Sequence, residues 1–514
     1  MAVDDRSGGG AKRGRPRRSR DAAGVTLSRI LPDATFFAAD DIVAAGCCDD
    51  PDACGPGDVF VARLTAAGDG HDEVDRAIAR GVAGVVAERM IPTFGTPLCI
   101  VPDSSWALAR LCHALSGDPA RGLRVIAVTG TSGKTTTVWL TAAVLAEAGL
   151  RVGVLSDLGC IDADATEPEA AALDSPRVLA GWLARLAAGG CTHVVVEVSS
   201  QMLAAHALAG VACDTVVVTN LASAHLDVHG TPAAYRAVKS RILDCLGPQG
   251  CLVAGGDDDR VGRMVARLTA AGHDGPVITA GLTAGADVTA VPVERSLSGQ
   301  TFLLRAGGHA IPVVASTPVA SFARDSLLAA AVGLRFRVPL ERVARGLEAA
   351  GSVPGRVERI DRGQDHAAFV DHPTSGHALA ATLASLRRLT PGRLVVLAEE
   401  AAVARLSAGQ GRRHAVLGEF SRRIARWADD CLVAPATLLD DEAVAADLAA
   451  YARVDRLLSG LRPEDCLLVL GVPATTAHGP DDPEGPPPSL AAVVDGWLQL
   501  AHVPQPFCAG RRAA

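Results

Sequence analysis

"LRVIAVTGTSGKTTTVWLTAAVLAEAGLRVGVL", residues 123–155, decides the architecture. "VIAV" (125–128) is a short, unbroken apolar run, as expected of a strand covered on both faces. "TGTSGK" (129–134) is a tight, glycine-bearing loop. From 135 to 148 the apolar positions Leu140, Val144, Leu145 and Ala148 fall on one side of a helix. "RVGVL" (151–155) begins the next strand. Strand, loop, helix and strand make a βαβ unit, which predicts a parallel α/β sheet. The same continuous apolarity recurs at "HVVVEVSS" (193–200), "DTVVVTNL" (214–221) and "GCLVAGG" (250–256).

On either side of this central region the pattern changes. From about 25 to 122, "GDVFVA" (57–62) and "AGVVAE" (83–88) read as strands and "DEVDRAIARG" (72–81) as a helix. A third α/β region opens near "VPGRVERI" (353–360), with strands at "AAFVDH" (367–372), "RLVVLAE" (393–399), "DCLVAPA" (430–436) and "DCLLVLG" (465–471). "HGPDDPEGPPP" (478–488) is a loop, and a helix over about 489–501 follows it. The expected fold is α/β in three domains. A small N-terminal domain (25–122) precedes a central phosphate-loop sheet with flanking helices (123–350), and a Rossmann-like domain (351–514) follows. Residues 1–24 form a basic tail.

Composition bounds the function. The 514 residues carry a net charge of −8, which argues against general nucleic-acid affinity of the folded part. The tail's "RGRP" (Arg13–Pro16) resembles the core of a minor-groove AT-hook, so a DNA-associated role is the lowest-ranked reading. No run of about 18 apolar residues predicts a membrane span, and the N-terminus has no secretory pattern. Thirteen scattered cysteines suggest reduced, core-filling thiols of a cytoplasmic protein rather than a disulfide framework. "CCDDPDAC" (47–54) lacks a second cysteine pair or a nearby histidine for a zinc site.

The loop "GTSGKTT" (130–136) carries the chemistry. Its backbone N–H groups, from Gly130, Thr131, Ser132, Gly133, Lys134, Thr135 and Thr136, suit phosphate oxygens, and the following helix N-terminus adds positive potential. Lys134 is placed for the β- and γ-phosphates of ATP, and the Thr135 hydroxyl for Mg²⁺. The usual first glycine of such loops is replaced by Val128. Of 49 basic residues only Lys12, Lys134 and Lys239 are lysine. Lysine, unlike arginine, has an amine that can be neutral and react, so its retention at 239 asks for a reason.

"VIAVTGTSGKTTT", then "VVVEVSSQML" and "VVVTNLASAHLDVHGTPAAYRAVKSRIL", resemble the Mur ligases, in particular the UDP-N-acetylmuramoyl-tripeptide synthetase branch. The resemblance covers about 30–380 and is strongest from 123 to 245. It implies an ATP-dependent ligase of peptidoglycan biosynthesis that joins an amino acid to a UDP-muramoyl-peptide-like carboxylate through an acyl phosphate. A monomer is expected. It implies Thr135, Glu197 and His225 as Mg²⁺ ligands and Lys239 as a carbamylated lysine that holds a second Mg²⁺. The same resemblance implies Lys134, Lys239 and His225 as the catalytic set and Arg356 and Asp371 as residues that hold the nucleotide. The alternative is a nucleotide-binding pseudoenzyme that regulates or scaffolds cell-wall synthesis.

Several family positions depart from the pattern. Asp50, Pro51 and Asp52 stand at the uridine-binding triplet, and Asp174, Ser175 and Pro176 at a substrate loop. Gln201 and Ala207 replace a histidine and an arginine. Ala224 precedes the metal histidine, and Phe322 and Asp325 replace two adenine-flanking asparagines. "DHPTSGH" (371–377), "AEEAAVARL" (398–406) and "GVPATTAHG" (471–479) replace family motifs, and the diaminopimelate signature is absent near 433–440. Phosphate- and metal-handling groups remain, whereas substrate-reading groups do not.

Overall fold

The computed structural model describes residues 24–65, 68–162, 166–167, 172–222, 231–406, 413–435, 448–472 and 489–502. Arg13–Pro16, Ala224, His225 and the 478–488 loop lie outside the described residues. The chain divides into two compact units, Met1–Leu115 and Ser116–Ala514. No helix among the described residues is long and apolar enough to cross a membrane.

In the first unit, β1 (Thr35–Phe37), β2 (Gly46–Cys48), β3 (Asp58–Val61), β4 (Gly84–Ala87) and β5 (Leu98–Ile100) form one sheet in the order β1-β5-β4-β3-β2. Only the β1–β5 pair is antiparallel. Helix α1 (Val74–Ala79) packs Val74 and Ala77 against Phe60, Val85 and Leu98. Helix α2 (Ser104–Leu115) ends the unit. One expectation is corrected here. Cys48 and Cys54 are disulfide-bonded with Cα atoms 5.8 Å apart, because the 3₁₀ turn at Pro51–Ala53 folds the chain back on the end of β2. The other ten described cysteines are not placed in disulfides, and eight of them are buried.

The second unit is built on β6 (Arg124–Thr129), helix α3 (Lys134–Glu147), β7 (Val152–Ser156), β8 (Gly159–Ile161) and β9 (Thr166–Glu167). It continues through α4 (Pro176–Ala188), β10 (His193–Glu197), α5 (Ser200–Ala204), β11 (Cys213–Val218), α6 (Pro232–Ser240), β12 (Leu246–Gly255) and α7 (Asp259–Ala270). Then come β13 (Val277–Ala280), β14 (Val288–Ser296), β15 (Gly299–Ala306), β16 (His309–Ala315), α8 (Ala320–Arg335) and α9 (Leu340–Ala349). The sheet order is β9-β8-β7-β10-β6-β11-β12-β13-β14-β15-β16. Strands β7 to β14 of this order pair in parallel, as the apolar runs predict. Strand β6 lies between β10 and β11, so the loop that leaves its carboxyl end opens where neighbouring connections diverge. That is the standard ligand crevice of such sheets.

Strands β14, β15 and β16 extend the sheet as an antiparallel meander. One face of it is buried through Phe302, Leu304 and Val313, while Val293 and Val314 are exposed. The third sheet runs β17 (Glu358–Ile360), β18 (Ala367–Asp371), β19 (Leu394–Glu399), β20 (Asp430–Ala434) and β21 (Cys466–Leu470), in the order β17-β18-β21-β19-β20. It is parallel except at β17. One hydrophobic core runs from Ile126 and Val128 through α3 and α8 to Phe369 and Leu468 of this third sheet.

Candidate active site

The loop between β6 and α3 is held from one side by the segment after β11. Thr219 Oγ1 donates to Ser132 O at 2.6 Å, and Asn220 Nδ2 donates to the same oxygen at 2.9 Å. Asn220 Oδ1 accepts from Ser132 N at 3.1 Å, and Thr131 N donates to Asn220 O at 3.0 Å. Gly130 and Gly133 have φ of +152° and +81°, the region that favours glycine. A Cβ at Gly130 would also collide with the Thr219 side chain. Gly133 is the N-cap of α3 and supplies no side-chain cap, so the first N–H groups of the helix stay open to an anion. The result is a rigid turn with donors aimed at a cleft of about 590 Å³.

A second cavity, of about 350 Å³, shares Lys134 and Thr374 with the cleft. Lys134, Glu197 and Lys239 all line it. The two amines therefore meet at one place, although they lie 105 positions apart in the chain. Lys134 Nζ stands 3.6 Å from Glu197 Oε1. That oxygen is buried and has no hydrogen-bond partner among the described residues. Burial and neighbouring Asp157 push the Glu197 carboxyl above the usual range, against the pull of Lys134. Lys239 is 2% exposed, and its Nζ donates to Thr129 Oγ1 at 3.0 Å. Burial and the Lys134 charge hold its amine well below the ordinary lysine range, which favours the neutral form. Helix α6 places it there. Thr231 caps the helix, and Tyr235 anchors it through its hydroxyl, 3.1 Å from Thr131 Oγ1.

Asp157 is a site residue that sequence reasoning missed. Its backbone N–H donates to Glu197 Oε2 at 3.3 Å, and its side chain lines the same cavity. The signal was available. It follows β7, which pairs with β10 in parallel, so it stands at the carboxyl end of the strand beside Glu197.

The third sheet supplies Arg356 and Asp371 to the wall of the larger cleft. Arg356 Nη2 donates to Thr135 Oγ1 at 2.9 Å, and its Nη1 donates to His372 O. Asp371 accepts from Thr382 Oγ1 at 2.9 Å and from Val357 N at 3.3 Å. Burial pushes Asp371 up to about 6, whereas burial, Arg356 and Arg405 hold His372 down to about 4. The loop residues, Glu197, Lys239, Arg356 and Asp371 thus gather around two adjoining cavities.

Several of the substituted positions make defined contacts. Asp50 caps the 3₁₀ turn after β2 by accepting from Asp52 N at 2.9 Å, and Asp52 pairs with Arg76 at 2.5 Å. Asp174 and Gln201 line the smaller cavity. Phe322 and Asp325 are buried in the wall of the larger one. Asp325 lies against the nucleotide loop, and a Cβ on Gly133 would strike its carboxyl oxygens. Burial raises its carboxyl well above the usual range, and Arg324 opposes this. Among the described residues no group of three or more His, Cys, Asp or Glu side chains is arranged to hold a metal.

Both the sequence and the fold are similar to those of known proteins. The Mur ligase middle domain matches residues 128–332. The chain is 32% identical over 350 residues to the UDP-N-acetylmuramoyl-L-alanyl-D-glutamate–2,6-diaminopimelate ligase of Geobacillus thermodenitrificans, covering 66% of this chain and 70% of that one. It is 33% identical over 377 residues to the UDP-N-acetylmuramyl-tripeptide synthetase of a Roseiflexus species, covering 69% and 72%. A solved diaminopimelate-adding ligase of the same kind superposes with a TM-score of 0.65 at 20% identity, covering 87% of this chain and 93% of that one.

Proposed function

The chain belongs to the Mur ligase family, and we propose that it joins a carboxylic acid to an amine in an ATP-dependent reaction. The acid is a UDP-N-acetylmuramoyl peptide or a related carboxylate, and the amine is an amino acid. The observation that carries this reading is the meeting of Lys134, Glu197 and Lys239 in one cavity beside an uncapped helix N-terminus. A scaffold needs no such convergence of a buried acid with two amines.

Each residue has a task. The loop N–H groups and Lys134 bind the phosphates of ATP and offset their charge. Arg356 and Asp371 hold the nucleotide from the third sheet. The unpartnered Glu197 oxygen and the Thr135 hydroxyl are hard donors of the kind Mg²⁺ takes, with His225 as third ligand by family resemblance. The cation would neutralise the oxygens that crowd together when two anions react. Lys239, neutral in its buried setting, is the residue able to take up CO₂ as a carbamate. We assign residues 25–122 to the UDP-substrate domain, 123–350 to the ATP domain and 351–514 to the closing domain. The protein acts as a cytoplasmic monomer. Asp174 and Gln201 give the acid pocket a preference of its own.

The test is ADP and phosphate release by purified protein with ATP and Mg²⁺, across a panel of UDP-muramoyl peptides and amino acids. Release that requires both an acid and an amine, and is abolished in Lys134→Ala, supports the ligase. Tight ATP binding with no turnover for any pair would leave a binding protein instead.

A further inference from the structure

Helix α7 borders the nucleotide cleft and carries Arg260, Arg263 and Arg267. Their spacing of three and four residues sets them on one stripe of the helix. Helix α6 adds Arg236. These four side chains, with Leu221 and Met264, line a cavity of about 220 Å³ that is separate from the one holding Lys239; Arg260 and Arg263 also border the nucleotide cleft, beside Asp257–Asp259, and Arg260, Arg263 and Arg267 are exposed whereas Arg236 is half-buried. The described lining contains no acidic residue. None of the four guanidiniums makes an ion pair or a side-chain hydrogen bond among the described residues, whereas Arg124, Arg185, Arg324, Arg345, Arg387 and Arg393 of the same unit each hold a carboxylate.

Four unneutralised guanidiniums around one concavity repel one another, and a bound anion relieves that repulsion. A single carboxylate would offset only one charge in four, so the complement is a multiply charged anion. Guanidinium forks match phosphate oxygens in bidentate geometry. The volume is below the range of sites for drug-sized ligands, which limits the recognised part to a small group. We propose that this cavity is a second anion site, distinct from the nucleotide loop, which takes the phosphate or pyrophosphate group of a small molecule.

The inference does not rest on the ligase reading, and its test is a binding measurement. The protein, saturated with Mg-ADP to fill the nucleotide cleft, is titrated calorimetrically with orthophosphate, pyrophosphate and citrate. Arg236→Gln/Arg267→Gln serves as the variant, since both residues lie outside the nucleotide cleft. Pyrophosphate is expected to bind wild type and to lose at least about tenfold affinity in the double variant, with Mg-ADP binding unchanged as the check on folding. Orthophosphate binding as tightly as pyrophosphate identifies free phosphate as the ligand, and a clear preference for pyrophosphate identifies a diphosphate group. The Lys134→Ala chain gives the same readout with the nucleotide loop disabled. No pyrophosphate binding to wild type, equal affinity for citrate, or unchanged affinity in the double variant would overturn the assignment.

Discussion

Asp325→Asn tests the nucleotide cleft most directly. Asp325 is 6% exposed and its carboxyl lies against Gly133, in the turn between β6 and α3 that is proposed to take phosphate. Protonated, it can donate a hydrogen bond; ionised, it opposes the incoming anion. A unit charge about 5 Å from a phosphate oxygen repels it by about 3 kcal/mol at an effective dielectric of about 20. Arg324 and Lys134 share the cleft, and discounting for them leaves about 1.4 kcal/mol, or tenfold in Kd. Because the folded-state pKa is raised, the acid is neutral at low pH and ionises only as pH climbs above the usual carboxylate range. The assay is Mg-ATP affinity from pH 5 to 9 for wild type and variant, read as a ratio so that titration of ATP itself cancels. The two should bind alike at pH values where the acid is neutral, and the variant should bind about tenfold more tightly where it is ionised. A ratio that stays constant across the range would refute the reasoning. The same sign governs stability. The native state holds a proton that the unfolded chain releases, so Asp325→Asn should also raise the melting temperature at neutral pH.

Asp371 and His372 make opposed contributions to acid stability. Asp371 rises from 3.8 to about 6, so its contribution is full below pH 3.8 and lost as pH rises through 6, about 3 kcal/mol in all. His372 falls from 6.5 to about 4, so its contribution is full above pH 6.5 and lost as pH falls through 4, by a similar amount. Asp371→Asn should therefore lose melting temperature on acidification from pH 6.5 to 4.5, and His372→Gln should gain it; equal pH slopes in both would contradict the assignment. Gly346→Ala would put a methyl 2.6 Å from Val144 Cα, where α9 crosses α3, and should destabilise by at least about 2 kcal/mol in thermal melts. Lys239→Arg should be as inactive in ADP release as Lys239→Ala, and only the Ala variant should be partly restored by short-chain carboxylates. An active Arg variant would reduce Lys239 to a simple cation.

The strand–loop–helix at 124–147 was legible because strand apolarity, glycine and helix periodicity agree over a short span. Glu197 and Lys239 were picked out by the family resemblance, and the fold brings both to the cavity that Lys134 lines. The meander of β14, β15 and β16 was not read. Its strands are half-exposed and its turns are short, so its alternation carries a weaker signal than the unbroken runs of buried parallel strands. Asp157 belongs to no motif, and only strand order sets it beside Glu197. The Cys48–Cys54 bond also escaped composition, because two sulfurs six residues apart meet only when the intervening turn is known. The arginine-lined cavity needed two helices to be placed, since Arg236 and Arg267 are 31 positions apart in the chain.

The hydrogen bond from Arg356 to Thr135 joins two segments that lie 221 positions apart in the chain. It runs from the residues just ahead of the third sheet straight to the first turn of α3. The two sheets are therefore coupled by a polar strut as well as by their shared apolar core, so a substitution at either end of that strut should be felt at both.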